Sequence, residues 1–278
     1  MRITVLNEKS KRDRINASNA VEIVRQRYER YARRQFTRIL NRTYRDFIEL
    51  DRIPTAEDIA EIINRNNVLQ QNAIAKIVNG IYPEASMLAV PDDQIRKSAD
   101  GMEYKAREDE ERELLERWVR ENTGTLIRDM TAEDMAEDLW YINQTTVDQI
   151  RKAILQANYD AKVFRELVQQ IMQETPARAY RIARTETARA SNVSMNIASE
   201  AYSFGRQMTK TWITVGGPAV RSSHRQMDGV TIPREQSFLV PNRYGGFDMM
   251  DYPLDSSHGA SAGNVVNCRC RCSYSYVD

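Results

Sequence analysis

The residues best suited to chemistry are cysteine and histidine, and they are concentrated near the end of the sequence. The three cysteines lie within five residues, at Cys268, Cys270 and Cys272, and the two histidines are His224 and His258. Thiolate sulfur and imidazole nitrogen are ligands that Zn²⁺ binds in a tetrahedral arrangement. On a strand the three thiols would share one face, where cysteine is also common as a small buried apolar residue. Two interpretations stay open, a zinc site and inert cysteines of a buried strand.

A second motif surrounds His224, in the run Arg221-Ser-Ser-His-Arg-Gln-Met-Asp-Gly229. If residues 222–227 form a helical turn, His224 and Asp228 are four residues apart and share a face. Such a pair can be an acid/base couple, two metal ligands, or a histidine oriented by a carboxylate. Alternatively, His224 packs a short helix against a sheet and Asp228 closes a turn with the following glycine. The zinc hypothesis takes as ligands Cys268, Cys270, His224 and Asp228, with Cys272 and His258 as further candidates.

The first long helix predicted from the sequence has a basic face. Over Asn19–Leu50, apolar residues recur at steps of three and four, which predicts one buried stripe. Arginines repeat on the opposite side, and Arg30, Arg34 and Arg38 are the candidates for binding nucleic acid or another partner, because arginine fits phosphate well. The alternative is pairing with the glutamate-rich stretch Glu103–Glu121 of the same chain, which the net charge of +1 favours.

Glycine and proline divide the chain into a helical part and a part rich in strands and loops. Eight of the eleven glycines lie at or after Gly205, whereas helical periodicity dominates before that point. Within the helical part, Thr55-x-x-Asp58 predicts a helix start and Gly80 predicts a helix end. Strands are predicted at 211–215, 230–232, 237–240, 264–266 and 268–276, with a long loop over 241–263.

These patterns predict an α+β protein with two parts. The first is an elongated, mainly helical region over 1–176. The second is a small C-terminal domain over 177–278, in which a long helix over 178–204 precedes short strands and loops.

Composition argues against two classes of protein. Mean hydropathy is −0.62, and no apolar run approaches the ~18 residues that a membrane span needs. The first residues are polar, unlike a secretory signal. Three cysteines so close together do not form a disulfide framework. We therefore expect a protein of a reducing compartment without a membrane partner.

Four blocks of the C-terminal region occur in an order and spacing typical of one known family. They read ARTETARASN, KTWITVGGPAVRSSHRQMDG, SFLVPNRYGG and NVVNCRCR. Over about residues 178–272 the chain resembles the head morphogenesis (Mu F-like) minor head proteins of tailed bacteriophages. The positions that match the family pattern are Arg184, Glu186, Trp212, His224, Asp228, Gly229, Asn267, Cys268 and Cys270. Cys272 departs from the pattern, which does not require a third cysteine.

The resemblance implies a minor component of the phage head, present in a few copies near the portal vertex. It would act in head assembly, genome packaging or DNA delivery. The implied partners are the portal protein, the major capsid protein and DNA. The implied location is the virion head, with the host cytoplasm during assembly.

Two alternatives to this role stay open. One is an injected effector enzyme, a hydrolase or transferase with His224 as acid/base and Asp228 as its orienting group. The other is a DNA-binding module that uses the arginine face of the first helix. Because no convincing nucleophile accompanies His224, the sequence favours a structural role over an enzyme. In that role zinc would hold the small C-terminal domain together.

Overall fold

Long helices precede a region of short antiparallel strands. The computed structural model describes residues 8–87, 117, 139, 140, 142–201, 203 and 206–277, with side chains from Val21 onward. The helices are α1 (Glu8–Glu49), α2 (Ala56–Met87), α3 (142–156), α4 (Ala161–Gln173), α5 (Thr175–Ala201), α6 (Ser222–Met227) and α7 (Ala262–Val265). The strands are β1 (Met208–Ile213), β2 (Thr231–Pro233), β3 (Phe238–Pro241), β4 (Phe247–Met250) and β5 (Arg271–Tyr276). The predicted α+β class is confirmed.

Local hydrogen bonds set the starts of two helices. Thr55 Oγ1 accepts a hydrogen bond from the Asp58 N–H at 3.2 Å, and the Asp58 carboxylate accepts one from the Thr55 N–H at 2.7 Å. This reciprocal capping box confirms the predicted helix start, since α2 begins at the next residue. Asp160 caps α4 in a similar way by accepting from the N–H groups of Lys162 and Val163.

The prediction that a helix ends at Gly80 is wrong, because α2 continues to Met87. A Cβ atom at Gly80 would lie 2.3 Å from Cε1 of Tyr28, so the absence of a side chain lets the Tyr28 ring of α1 lie against α2. The Tyr28 hydroxyl donates a hydrogen bond to Glu84 at 3.0 Å. The glycine thus marks a close contact between two helices.

The described residues form two hydrophobic cores, and α5 contributes to both. The helical core contains Phe36 of α1, Ile77 of α2 and Ala183 of α5. The second core, around Trp212 of β1, contains Met195 of α5. Buried contacts along one helix therefore join the helical region to the strands.

β1 is the central strand of an antiparallel three-stranded sheet, between β2 and β5. Trp212 on β1 is opposite Cys272 on β5. β3 and β4 form a separate antiparallel hairpin, with Phe238 opposite Met250. The Trp212 and Phe238 rings meet edge to face with centroids 5.3 Å apart, so the sheet and the hairpin share one core.

Two predictions near the end of the chain are wrong. Residues 264–266, predicted as a strand, lie at the end of the helical turn α7, and β4 lies inside the predicted loop 241–263. One of the two core-facing positions of β4 is Asp248, which is only 8% exposed. An aspartate at a buried position hides the apolar alternation by which a strand is recognised.

Two further observations concern the helical region. No helix among the described residues is long and apolar enough to cross a bilayer. The glutamate-rich stretch Glu103–Glu121, the predicted partner of the arginine face, lies outside the described residues apart from Arg117.

Candidate metal centre

Two segments bring one histidine and two cysteines together. His224 lies in the short helix α6, and Cys268 and Cys270 lie between α7 and β5. Of the three cysteines only Cys272 is inside β5, since that strand begins at Arg271 and not at 268 as predicted. All three cysteines are nevertheless at most 4% exposed. The alternation of burial that a strand would give thus extends upstream of the strand itself.

The three side chains point their ligand atoms at one another. His224 Nδ1 is 3.5 Å from Cys268 Sγ and 3.4 Å from Cys270 Sγ. All three ligand atoms lie within 4.8 Å of one another. The Cys270 backbone N–H also donates to Cys268 Sγ at 3.3 Å. The cluster is a compact, buried set of two sulfurs and one nitrogen.

The two thiols of the cluster differ in acidity. The Cys270 thiol donates a hydrogen bond to the Cys268 sulfur, and together with His224 it holds the pKa of Cys268 well below its usual range. The same shared proton, with burial, raises the pKa of Cys270. The first proton therefore leaves this pair easily and the second is retained.

Asn264 orients the imidazole from its other side. The Asn264 amide nitrogen donates to the Pro241 carbonyl at 3.0 Å and to the Asp248 carboxylate at 2.8 Å. Its oxygen therefore faces the ring, and it lies 3.2 Å from His224 Nε2. Because an amide oxygen only accepts, Nε2 must carry the proton. In the neutral form of the ring, the lone pair is then on Nδ1, which faces the sulfurs.

Asp248 is fixed in turn by a ring of donors. Ser261 donates to it from its backbone N–H at 3.0 Å and from its hydroxyl at 2.6 Å, and Asn242 donates at 2.9 Å. Burial raises the pKa of Asp248, but the hydrogen bonds from Ser261, Asn242 and Asn264 together lower it below its usual value. A charged carboxylate thus anchors the amide that orients the histidine.

Trp212 covers the cluster from β1. Its indole meets the His224 ring edge to face, with centroids 5.5 Å apart. The Trp212 Nε1–H is buried and makes no hydrogen bond of normal length within the part of the chain that the structure describes. Its proton nevertheless acts on the Cys270 sulfur and favours the thiolate form, which lowers the pKa of that thiol against the larger opposing effects.

The other predicted metal ligands lie elsewhere. Asp228 is exposed after the end of α6, and its carboxylate accepts a hydrogen bond from the Thr214 N–H at 2.8 Å. Cys272 is outside the cluster, and burial raises its pKa to about 12. His258 is 3.2 Å from an Asp251 oxygen, in a separate group with Asp255. The structure thus brings together three of the four primary predicted ligands.

The remaining motif residues surround this core. Arg184 stacks on the Tyr180 ring and donates to the Asn267 side chain at 3.2 Å. Asn267 has a left-handed backbone (φ 61°) just before Cys268. Gly229 lies in the turn after α6 and has φ 80°. Its backbone N–H donates a hydrogen bond to the Trp212 carbonyl at 2.9 Å. These contacts shape the chain on both sides of the cluster.

Arg30, Arg34 and Arg38 do not belong to the His224 cluster. All three are exposed on α1, and they make no hydrogen bond or ion pair with the residues that the structure describes. The face they form is a solvated basic surface, as the periodicity predicts.

Two features of the site were absent from the sequence predictions. The first is the pair Asn264 and Asp248, which fix the orientation of His224. The sequence pattern that could have indicated each of them is a polar residue inside an otherwise apolar run. The run Gly259-Ala-Ser-Ala-Gly263 has the Gly-x-Ser-x-Gly spacing of hydrolase nucleophiles. Its serine hydroxyl donates to Asp248 and precedes the short helix α7, so a hydrolase triad is not formed among the described residues.

A known protein family resembles the part of the chain that contains the cluster. A family model described as phage Mu protein F like protein matches residues 145–273. This segment resembles the phage Mu F-like proteins. The predicted resemblance is confirmed, over a longer stretch than the 178–272 of the sequence motifs, and the matched segment contains all three residues of the cluster.

One curated relative of this chain carries an enzyme name. It is the NAD(+)–arginine ADP-ribosyltransferase EFV of Enterococcus faecalis, 24% identical over 140 residues, which are 49% of this chain and 27% of that protein. The chain thus spans about a quarter of the length of this relative. No solved structure matches the chain. The family match supports a phage head-related protein.

Proposed function

We propose that the protein is a minor component of the phage head at the portal vertex, acting in head assembly, genome packaging or DNA delivery. The observation that carries this proposal is the Mu F-like match over residues 145–273. The virion head, and the host cytoplasm during assembly, are the locations that this role requires. Several copies per virion would bind the portal protein, the major capsid protein or both.

The fold supports a docking role for the helical region. α1 presents an exposed basic face, whereas the cysteines and His224 are buried in the C-terminal core. α5 joins these two parts through both cores. The protein therefore offers a surface for partners on its helices and keeps its polar cluster away from them.

A pull-down with the tagged full-length chain tests this role against the portal and coat proteins of its own phage, at moderate salt. We expect retention of the portal protein. The variant with Arg30→Glu, Arg34→Glu and Arg38→Glu shows whether α1 makes the contact. Its matched control carries Arg151→Glu, Lys152→Glu and Lys162→Glu at exposed positions of α3 and α4. Retention of neither protein by the natural chain would contradict the proposal.

DNA binding by the face of α1 is a second candidate function. Arg42 and Arg45 extend the row of Arg30, Arg34 and Arg38, and all five are exposed. Each phosphate contact contributes about 0.9 to the slope of log affinity against log salt. Changing the first three arginines to glutamine should therefore reduce the slope by about 2.7. The control with Arg151, Lys152 and Lys162 changed to glutamine should keep the slope, and no binding at low salt would remove this candidate.

An injected effector enzyme is the remaining alternative. The name of the Enterococcus faecalis relative favours a transferase. The geometry gives no support to His224 as acid/base, because the ring is 1% exposed and both nitrogens face protein groups. Incubation of the full chain with labelled NAD⁺ and arginine-containing acceptor proteins tests this alternative. Transfer of label would place the enzyme first, and its absence would remove the transferase.

A further inference from the structure

The His224 cluster has the dimensions of a metal site. A tetrahedral zinc ion, with Zn–S near about 2.3 Å and Zn–N near about 2.05 Å, holds a sulfur and a nitrogen ligand about 3.5 Å apart. The two Nδ1–Sγ distances are 3.5 Å and 3.4 Å. We propose that His224 Nδ1, Cys268 Sγ and Cys270 Sγ bind one Zn²⁺ ion, without Asp228 or Cys272.

Hydrogen bonds can link these three side chains only in pairs. Asn264 fixes the imidazole so that a single lone pair, on Nδ1, faces two sulfurs at nearly equal distance. One lone pair accepts one thiol proton, so the second sulfur gains nothing from the ring. A cation between the three atoms interacts with all of them at once.

The surroundings also suit a metal-bound thiolate pair. The Cys270 backbone N–H already donates to Cys268 Sγ at 3.3 Å, and the proton of the buried Trp212 N–H acts on the Cys270 sulfur. Such donors stabilise thiolates. Two thiolates, a neutral imidazole and Zn²⁺ sum to zero charge, which a site at most 4% exposed can accommodate.

Asn264 and Asp248 act as positioning residues for this site. A metal-binding histidine usually donates its second N–H to an oxygen that fixes the ring orientation, and loss of that partner typically weakens metal affinity by 10- to 100-fold. Here Asn264 Oδ1 receives that proton, and Asp248 holds the amide. Through these bonds the ion would connect α6 and the segment before β5 to the β3–β4 hairpin.

The ligand set selects the class of metal. Soft sulfur with imidazole favours Zn²⁺ over Mg²⁺ or Ca²⁺, which prefer oxygen. No described His, Cys, Asp or Glu occupies the fourth tetrahedral position, because the group within reach contains these three residues alone. The ion therefore keeps one position for a further ligand such as water.

Metal content and Co²⁺ spectra of the full-length chain test the proposal. Protein purified with a tag that does not bind metal, without chelator, should contain about one zinc per chain. Replacement by Co²⁺ should give the intense visible bands of a tetrahedral site and a charge-transfer band for two thiolates. The Cys268→Ser, Cys270→Ser and His224→Ala variants should lose the metal. Cys272→Ser, an equally buried cysteine outside the cluster, is the matched control and should retain it.

The Zn²⁺ affinity of an Asn264→Ala variant distinguishes a metal site from simple packing of the three side chains. With all three ligands intact, it should bind Zn²⁺ about 10- to 100-fold more weakly in competition with a chromophoric chelator. If the ligand variants do not fold, the Co²⁺ titration of the reduced natural chain decides the matter. No metal in the natural chain together with no Co²⁺ uptake overturns the proposal, as does a spectrum of three thiolates or metal loss in Cys272→Ser.

Discussion

At the residue scale, two buried groups differ in how their polarity is compensated. Asp248 receives hydrogen bonds from Ser261, Asn242 and Asn264, and their combined effect keeps its pKa low although burial opposes it. Glu186 on α5 is also buried, and burial raises its pKa to about 8. The cation paired with it, Arg189 Nη1, is 3.7 Å away, which is too far for a hydrogen bond. A partner within hydrogen-bond distance decides which carboxyl stays charged.

Glu186 makes stability depend on pH. Its ordinary pKa is near 4.5, so between about 4.5 and about 8 the folded chain keeps a proton that the unfolded chain has lost. Stability from this group is full at low pH and falls as pH rises through the window. Glu186→Gln removes the effect. At about pH 8 we therefore expect the free energy of unfolding of the variant to exceed that of the natural chain by on the order of 1 kcal/mol or more.

Thermal unfolding between about pH 5 and about pH 8 measures this gain. Glu166→Gln, at an exposed position of α4, is the control and should follow the natural chain at every pH. A difference between Glu186→Gln and the natural chain that does not change with pH would contradict the assignment.

At the element scale, the start of α2 depends on its capping box. Thr55→Ala removes the acceptor for the Asp58 N–H, and we expect a loss of about 1 kcal/mol in the free energy of unfolding. Thr37→Ala is the control, because that hydroxyl donates to a carbonyl inside α1 and caps nothing. Denaturant unfolding of both variants measures the difference. Equal midpoints would show that the box does not stabilise the helix.

The contact between α1 and α2 depends on Gly80. All three atoms nearest to an added Cβ belong to Tyr28, so Gly80→Ala should cost about 1 kcal/mol, the overpacking exceeding the gain in helix propensity. In a Tyr28→Ala background the same substitution should stabilise by up to about 1 kcal/mol, since the obstruction is gone. A double-mutant cycle by denaturant unfolding measures both steps. The same sign in both backgrounds would refute the close-contact explanation.

At the scale of the whole molecule, α5 contributes buried residues to both cores, and the core around Trp212 also contains Val21 of α1 and Tyr82 of α2. Because the buried residues of these helices belong to both, we expect the helical region and the strands to unfold in one transition. Helical circular dichroism reports the first part. Trp212 fluorescence reports the second once Trp118 and Trp140 are replaced by phenylalanine, since the chain has three tryptophans.

Ile77→Ala tests this coupling from the helical side. Ile77 is fully buried in the helical core, and its truncation should cost about 2–5 kcal/mol. We expect the Trp212 transition to shift by the same amount as the helical signal. Two separated transitions, or a shift of the helical signal alone, would show that the parts unfold independently.

The sequence by itself determined the α+β class, the basic face of α1, the capping box at Thr55 and the Mu F-like resemblance, because periodicity, capping and motif spacing are local properties. It also drew attention to His224, Cys268 and Cys270, since cysteine and histidine are few and all of them lie in the C-terminal domain. Tertiary structure decided which of the candidates meet. His224 and Cys268 lie on different elements, and Asp228 turns to Thr214 once α6 has ended.

Burial of polar residues could not be read locally either. Asp248 faces the protein core from β4, and its charge interrupts the apolar alternation by which the strand would be recognised. Asn264 lies in the helical turn α7, although its apolar neighbours are typical of a strand. Gly80 permits a contact with a helix fifty-two residues earlier instead of ending its own. In each case the deciding partner is distant in sequence, so the energy that fixes the residue exists only after the chain has folded.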